Sequence, residues 1–376
     1  MSDVAYTLVD DPQALDAAMR DIAAAPRIGV DTEADSRHHY PEKVCLIQVA
    51  TGEAAYVIDP LAIDDLSALG RVLGDPRVEK VLHGADYDLR GLDRDFGFGV
   101  KPLYDTNVAA RLAGLERFGL AALMEDLLGI VIPKQAALQK SDWSRRPLSR
   151  EALSYGAEDV VHLGALRDSL DERLRGLGRQ EWAAEECERL SEVRYSAPDP
   201  ETASFLSVKG AGRLDGPALA VLRSLYDMRE AEARRRNLPQ AYVLSAEAMV
   251  HLAAHPDAAL AVVPGIGPST IRRLGDAIRR AVRAGQQAPP YARPKQDPPP
   301  LPRPTSAESK RMGRLKAWRQ AHGKRLALDP ALLWPARSLD RLARAPATLD
   351  AETRSPDVRR WQAAELGASL RELLGG

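Results

Sequence analysis

The chain has 376 residues, 45% apolar and 28% charged, which exceeds one ordinary hydrophobic core, predicts two or three domains, and excludes a disordered or fibrous protein. No apolar run reaches membrane-spanning length and the start MSDVAYTLVDDPQALDAAMR lacks the basic-then-apolar pattern of a secretory signal, so a cytoplasmic location with no membrane partner is expected. The net charge of −1 hides an asymmetry, with 35 acidic and 23 basic side chains in residues 1–195 and 18 acidic and 29 basic in the rest; a cation-holding domain joined to a polyanion-binding one fits this, as do two domains that merely differ in surface charge.

In chain order, RIGVDTEAD, VCLIQVAT and AAYVIDP are dense in Val and Ile and separated by turn residues, and predict an antiparallel set of strands. The second holds Cys45; with Cys187 as the other cysteine, there are too few for a disulfide framework or a zinc site, and reduced core thiols are expected. A helix-like segment, 64–73, precedes the strand-like KVLHG, and another, 85–95, follows it. Strand alternating with helix implies crossovers and a mixed sheet flanked by helices, so the first domain is α/β. Residues 151–170, EALSYGAEDVVHLGALRDSL, read as one long helix.

From about residue 210 the pattern is helical only. LDGPALAVLRSLYDMREAEARRR places Leu219, Leu222, Leu225 and Met228 at helical spacing and ends near Pro239; SAEAMVHLAAH opens on a candidate cap, Ser245; a third helix follows PGIGPST. Residues 288–304, APPYARPKQDPPPLPRP, hold eight prolines and predict a stiff extended spacer. Beyond it the apolar spacing is similar to that of 215–285, which suggests a second, diverged copy of the helical module. The expected domains are 1–195, 208–287, a linker over 288–305, and 306–376.

Asp31 and Glu33 lie two apart on a strand and point to one face of the sheet. Two adjacent buried acids require a cation or a proton, whereas a solvated strand end requires neither. Asp88 opens the helix after KVLHG, and Asp86, two residues earlier, faces elsewhere and suits the helix dipole. Tyr155 and Asp159, four apart on a helix, project into one space, as an ordinary surface pair or as half of an active site. Four carboxylates from three segments could converge on two divalent cations, the arrangement used for in-line phosphoryl displacement, with Tyr155 orienting the attacking water. Oxygen-only ligation favours Mg²⁺ or Mn²⁺ over zinc.

DTE at 31–33, HGADYDL at 83–89 and YGAED at 155–159, in this order, resemble the three motifs of the DEDD family of 3′–5′ exonucleases, in the tyrosine branch that includes ribonuclease D. YDTNVAARL at 104–112, KSDWSRRPLS at 140–149 and VKGAGRL at 208–214 extend the likeness, and 210–287 is similar to the HRDC domain. The resemblance implies an RNase H-like α/β exonuclease domain with a mixed sheet, followed by all-α HRDC-type domains. It implies hydrolysis of phosphodiester bonds from RNA 3′ ends by a two-metal mechanism, releasing 5′-nucleotides, with Asp31, Glu33, Asp88 and Asp159 as metal ligands and Tyr155 beside them. Transfer RNA precursors with 3′ trailers are the expected substrates. The alternatives are a 3′–5′ single-stranded DNA exonuclease and an inactive RNA-binding adaptor, against which the four acids argue.

His83 approaches the substrate strand or satisfies the strand-to-helix turn. Trp143, with Lys140, Arg145 and Arg146, contacts RNA by stacking and charge or covers the sheet edge. ARRR at 233–236 and IRRLGDAIRRAVR at 271–283 are phosphate contacts or solvated helix faces. PGIGPST offers backbone N–H groups at a helix start but lacks the lysine of a P-loop, so no nucleotide cofactor is expected.

Overall fold

A computed structural model describes residues 4–133, 135–197, 204–293 and 302–375. The elements of the first half are β1 (Thr7–Val9), α1 (Pro12–Ala24), β2 (Arg27–Ala34), β3 (Val44–Ala50), β4 (Ala55–Ile58), α2 (Ser67–Leu73), β5 (Glu79–Leu82), α3 (Asp86–Phe96), β6 (Leu103–Asp105), α4 (Thr106–Leu112), α5 (Leu120–Leu128), α6 (Arg150–Val161), α7 (Leu163–Gly176) and α8 (Gln180–Ser191). The strands form one six-stranded sheet in the order β1-β4-β3-β2-β5-β6. β3 and β4 pair antiparallel, whereas β1 lies parallel to β4, and β2, β5 and β6 run parallel to one another. The sheet is therefore mixed, and every residue of β3 is buried, as expected for a strand covered on both faces. One face packs Ile28, Val30, Ile47 and Val49 with α1, α2 and α3; the other packs Val57, Val81 and Tyr104 with α4 to α7.

The stretch 151–170 is not one helix. It breaks at His162, whose N–H bonds to Val160 O and not to the carbonyl four residues back, so the ladder is interrupted between α6 and α7. Tyr155 and Asp159 both remain on α6, which starts on Ser149, whose side chain accepts from Ala152 N.

The remaining helices are α9 (Gly216–Arg236), α10 (Gln240–Val243), α11 (Ala246–Ala254), α12 (Pro268–Gln287), α13 (Ser306–Leu326), α14 (Pro330–Leu333), α15 (Ala336–Arg344), α16 (Leu349–Glu352) and α17 (Arg360–Gly375). The first three of each helical segment match in length and recur at a constant offset of 90 residues, and α9 and α13 both end in a left-handed residue, Asn237 at φ 49° and Ala327 at φ 48°. Caps set these helices in register: Asp215 accepts from Ala218 N, Ser245 from Ala248 N, and Thr305 with Glu308 forms a capping box. Of the proline-rich stretch, residues 294–301 lie outside the described residues; 288–293 and 302–305 contain neither helix nor strand. Among the described residues no helix is long and apolar enough to cross a membrane.

The chain forms two compact units that do not follow sequence order. One joins residues 1–33, 44–195 and 301–376; the other joins 34–43 with 196–300. In the first, the C-terminal helices dock on α8. Trp361 stacks on Trp182 at 4.4 Å between centroids, and the Glu185 carboxylate accepts from Arg360 N at 2.7 Å and Trp361 N at 3.1 Å. That buried carboxylate caps the amino end of α17, where its negative charge also interacts favourably with the positive end of the helix dipole. In the second unit α9 packs on α11 and α12; Gly285 is required there, because a Cβ would lie 2.4 Å from Val221 Cα. The 34–43 loop is anchored in the same unit: Tyr40 Oη donates to Glu230 at 2.6 Å and Tyr40 N donates to Asn237 Oδ1 at 3.1 Å.

Candidate active site

Strand alternation puts Gly29, Asp31 and Glu33 on the face of β2 that meets α6. The approach is close because two glycines permit it: a Cβ on Gly29 would lie 2.7 Å from Val160 O, and one on Gly156 would lie 2.7 Å from Gln48 Nε2. Gly29→Ala, whose Cβ would meet the Val160 backbone carbonyl, is expected to push α6 off β2, costing about 1–3 kcal/mol of stability by overpacking and lowering activity together with melting temperature. Thermal denaturation beside a turnover assay checks this, and an unchanged pair of values would contradict the packing argument.

Held at this distance, one carboxylate oxygen each from Asp31, Glu33 and Asp159 lie within 4.8 Å of one another. Asp88 lies outside that trio but acts on it electrostatically, being the neighbouring charge that weighs most on Asp31. Its Oδ1 accepts a 2.5 Å hydrogen bond from Thr32 Oγ1, from the strand residue between the two acids. Burial, reinforced by Asp88, Asp159 and Glu33, raises Asp31 well above the usual carboxylate range. Burial with Asp159 and Asp88 pushes Glu33 up to about 8, burial with Glu158 pushes Asp159 to about 7, and burial, opposed by the Thr32 hydrogen bond, brings Asp88 to about 6. Carboxylates so crowded bind protons unless a cation neutralises them. The donor set is oxygen only and anionic, which fits hard divalent cations.

Tyr155 stands one turn before Asp159 on α6, on the same side of the helix as that carboxylate. Burial and the surrounding acids raise its phenol above its usual value, so it stays protonated at neutral pH, able to hold and aim a water but not to take a proton from it.

The turn that presents Asp88 is built by a residue the motifs did not single out. Asp105, fully buried at the end of β6, accepts from Gly84 N, Ala85 N, Asn107 N and Val108 N at 2.7–3.1 Å. One carboxylate thus ties the β5–α3 turn to the start of α4; the signal in the sequence was an aspartate immediately before a helix. His83 belongs to the same knot. Thr106 Oγ1 donates to Leu82 O, so it accepts from His83 Nδ1 at 2.9 Å, and burial lowers the imidazole pKa and keeps it neutral. His83 thus ties the strand-to-helix turn to the start of α4. Asp86 faces away and pairs with Arg90 at 2.8 Å.

Among the expected RNA contacts, Lys140 and Arg145 are exposed, and Arg145 pairs loosely with Asp142 at 3.3 Å. Trp143 is a correction: only 1% of its surface is exposed, and its ring packs on Tyr155, so it has no free face for a base. Arg146 is likewise committed within the protein. Its Nε and Nη2 grip both Asp59 oxygens at 2.5 and 2.7 Å, and its other three N–H groups reach Trp143 O, Arg145 O and Cys45 O.

Residues 6–175 match the 3′–5′ exonuclease family and residues 218–282 match the HRDC domain. Fold and site thus define an exonuclease of the carboxylate-cluster class carrying an HRDC module. The chain is 33% identical to ribonuclease D of Gluconacetobacter diazotrophicus over 377 residues, covering 98% of this chain and 93% of that one. It is 30% identical to ribonuclease D of Pseudomonas paraeruginosa over 97% and 96% of the two chains. The structure of Escherichia coli RNase D, an exoribonuclease involved in structured RNA processing, superposes with a TM-score of 0.73 at 26% identity over 99% of both chains. The chain belongs to the ribonuclease D family, and it is a 3′–5′ exoribonuclease acting on RNA.

Proposed function

We propose that this exoribonuclease matures transfer RNA 3′ ends in the cytoplasm, removing 3′ trailers from precursors one 5′-nucleotide at a time. The observation that carries the chemistry is the convergence of Asp31, Glu33 and Asp159, with Asp88 against Thr32 and Tyr155 at the rim. Asp31, Glu33, Asp88 and Asp159 would hold a pair of Mg²⁺ or Mn²⁺ ions, which when bound supply Lewis-acid stabilisation of the charge developing on phosphate and leaving oxygen. Tyr155 orients the water that attacks the terminal phosphorus, and the bond from phosphorus to the penultimate 3′-oxygen breaks. The Asp105 clamp holds the turn bearing Asp88. Exposed Lys140 and Arg145 meet the RNA backbone.

The division of labour follows the charge. The acidic exonuclease domain, 1–195, cleaves. The basic helical module, 208–287, captures folded RNA, joined by a linker over 288–305 to a second, diverged HRDC-like module, 306–376. Time courses on a transfer RNA precursor with a short 3′ trailer, the mature transfer RNA and a single-stranded DNA oligomer test this reading. Trimming that stops at the mature end is expected, with DNA cleaved far more slowly. Preference for DNA, or no discrimination between precursor and mature RNA, would contradict it.

A further inference from the structure

Trp143 stands out once stacking on RNA is excluded. It lies in the loop before α6, is 1% exposed, and places its indole 6.2 Å from the Tyr155 ring, centroid to centroid, at an interplanar angle of 28°. A large flat side chain in the core next to a phenol removes the space into which that ring would otherwise turn.

The tryptophan is itself pinned from behind. Arg146 Nη1 donates to Trp143 O at 2.7 Å, and the same guanidinium is locked two-pronged on Asp59, which is 5% exposed at the end of β4, and on Cys45 O of β3. All five guanidinium donors are consumed, so Arg146 has one position, and it transmits the position of the sheet to the Trp143 backbone. The path runs from β3 and β4, through Arg146, to Trp143 and the Tyr155 ring. Asp159 follows one helical turn after Tyr155 on α6, so a phenol held at its face keeps its hydroxyl on the side of the helix that bears the carboxylate.

We propose that Trp143, stapled by the Arg146–Asp59 pair, is a positioning residue that fixes the Tyr155 phenol in the orientation that aims the attacking water. This rests on the reading of Tyr155 given above. The indole touches neither RNA nor metal ligand in this role; its effect passes entirely through one ring.

The test is a double-mutant cycle on the full-length protein, using a short 3′-labelled oligoribonucleotide with saturating Mg²⁺. Trp143→Leu is expected to lower kcat by about tenfold to a hundredfold, the scale of a misplaced catalytic group, with KM nearly unchanged. Trp143→Phe, which keeps an aromatic plane, is expected to recover most of the rate. In the Tyr155→Phe background, Trp143→Leu is expected to add no further loss, because the hydroxyl it positions is gone. Losses that multiply, or a change in KM instead of kcat, would overturn the proposal. Should Trp143→Leu lose its cooperative melting transition, Arg146→Lys carries the same cycle, and the same outcomes apply. Full activity of Tyr155→Phe alone would remove the water-orienting role itself, and is distinguishable because it appears before Trp143 is altered.

Discussion

Asp31→Asn is expected to abolish turnover for practical purposes while making the metal-free protein more stable. Asp31 sits at the centre of the carboxylate group, raised by burial and then by Asp88, Asp159 and Glu33. In the working enzyme that charge is needed. Losing one anionic metal ligand removes several kcal/mol of transition-state stabilisation, about 10³-fold in rate. In the metal-free protein the same carboxyl is a burden, because at neutral pH it stays buried only by keeping a proton that the unfolded chain has released. Replacing it with a neutral amide of similar shape removes that proton uptake, for a gain of about 2 kcal/mol. RNA binding by the basic helical module is expected to persist. Turnover, RNA affinity and melting in EDTA check the three parts. Undiminished turnover would remove Asp31 from the catalytic group; a lower melting temperature would show that the crowding of acids is not costly.

The second large effect is a pH dependence of stability that divalent metal reverses. Glu33 rises from 4.5 to about 8 and Asp159 from 3.8 to about 7 in the folded chain. Between the unfolded and folded values, the native state keeps a proton that the unfolded chain has released, so stability falls as pH rises. Most of the loss is expected between about pH 5 and pH 8, at up to about 1.4 kcal/mol per pH unit for each such group. Melting of the metal-free protein should therefore drop over this window. Mg²⁺ should raise it most at the alkaline end, where the ion displaces fewer protons. A flat profile in EDTA, or stabilisation by Mg²⁺ that does not grow with pH, would contradict the charge arrangement.

Much of this was legible in residues because it is local. DTE on a strand fixes Asp31 and Glu33 on one face by period two, and the spacing of Tyr155 and Asp159 stacks them by period 3.6. Ser245 caps its helix as its type and position imply. What escaped the sequence depends on partners far along the chain. β1 and β6 are three residues each, too short to show a period, and become strands only because β4 and β5 offer an edge. The break at His162 is a single-residue departure that no breaker residue announces. Trp143 in a loop flanked by lysine and arginine resembles a stacking platform; only the staple from Arg146 to Asp59, 87 residues away, turns it inward. Loop 34–43 grouping with the helical unit, and the helices after residue 305 with the sheet, likewise rest on pairings such as Tyr40 with Glu230 and Trp182 with Trp361.

The most direct trial of the central claim is parallel digestion of one single-stranded RNA labelled at its 5′ end or at its 3′ end, with Mg²⁺ and with EDTA. With metal, the 3′ label is expected to leave first as a 5′-mononucleotide while the 5′-labelled strand shortens stepwise, and EDTA should stop both until Mg²⁺ is restored. Release of the 5′ label first, internal fragments, or cleavage that proceeds unchanged in EDTA would contradict an exonuclease built on Asp31, Glu33, Asp88 and Asp159.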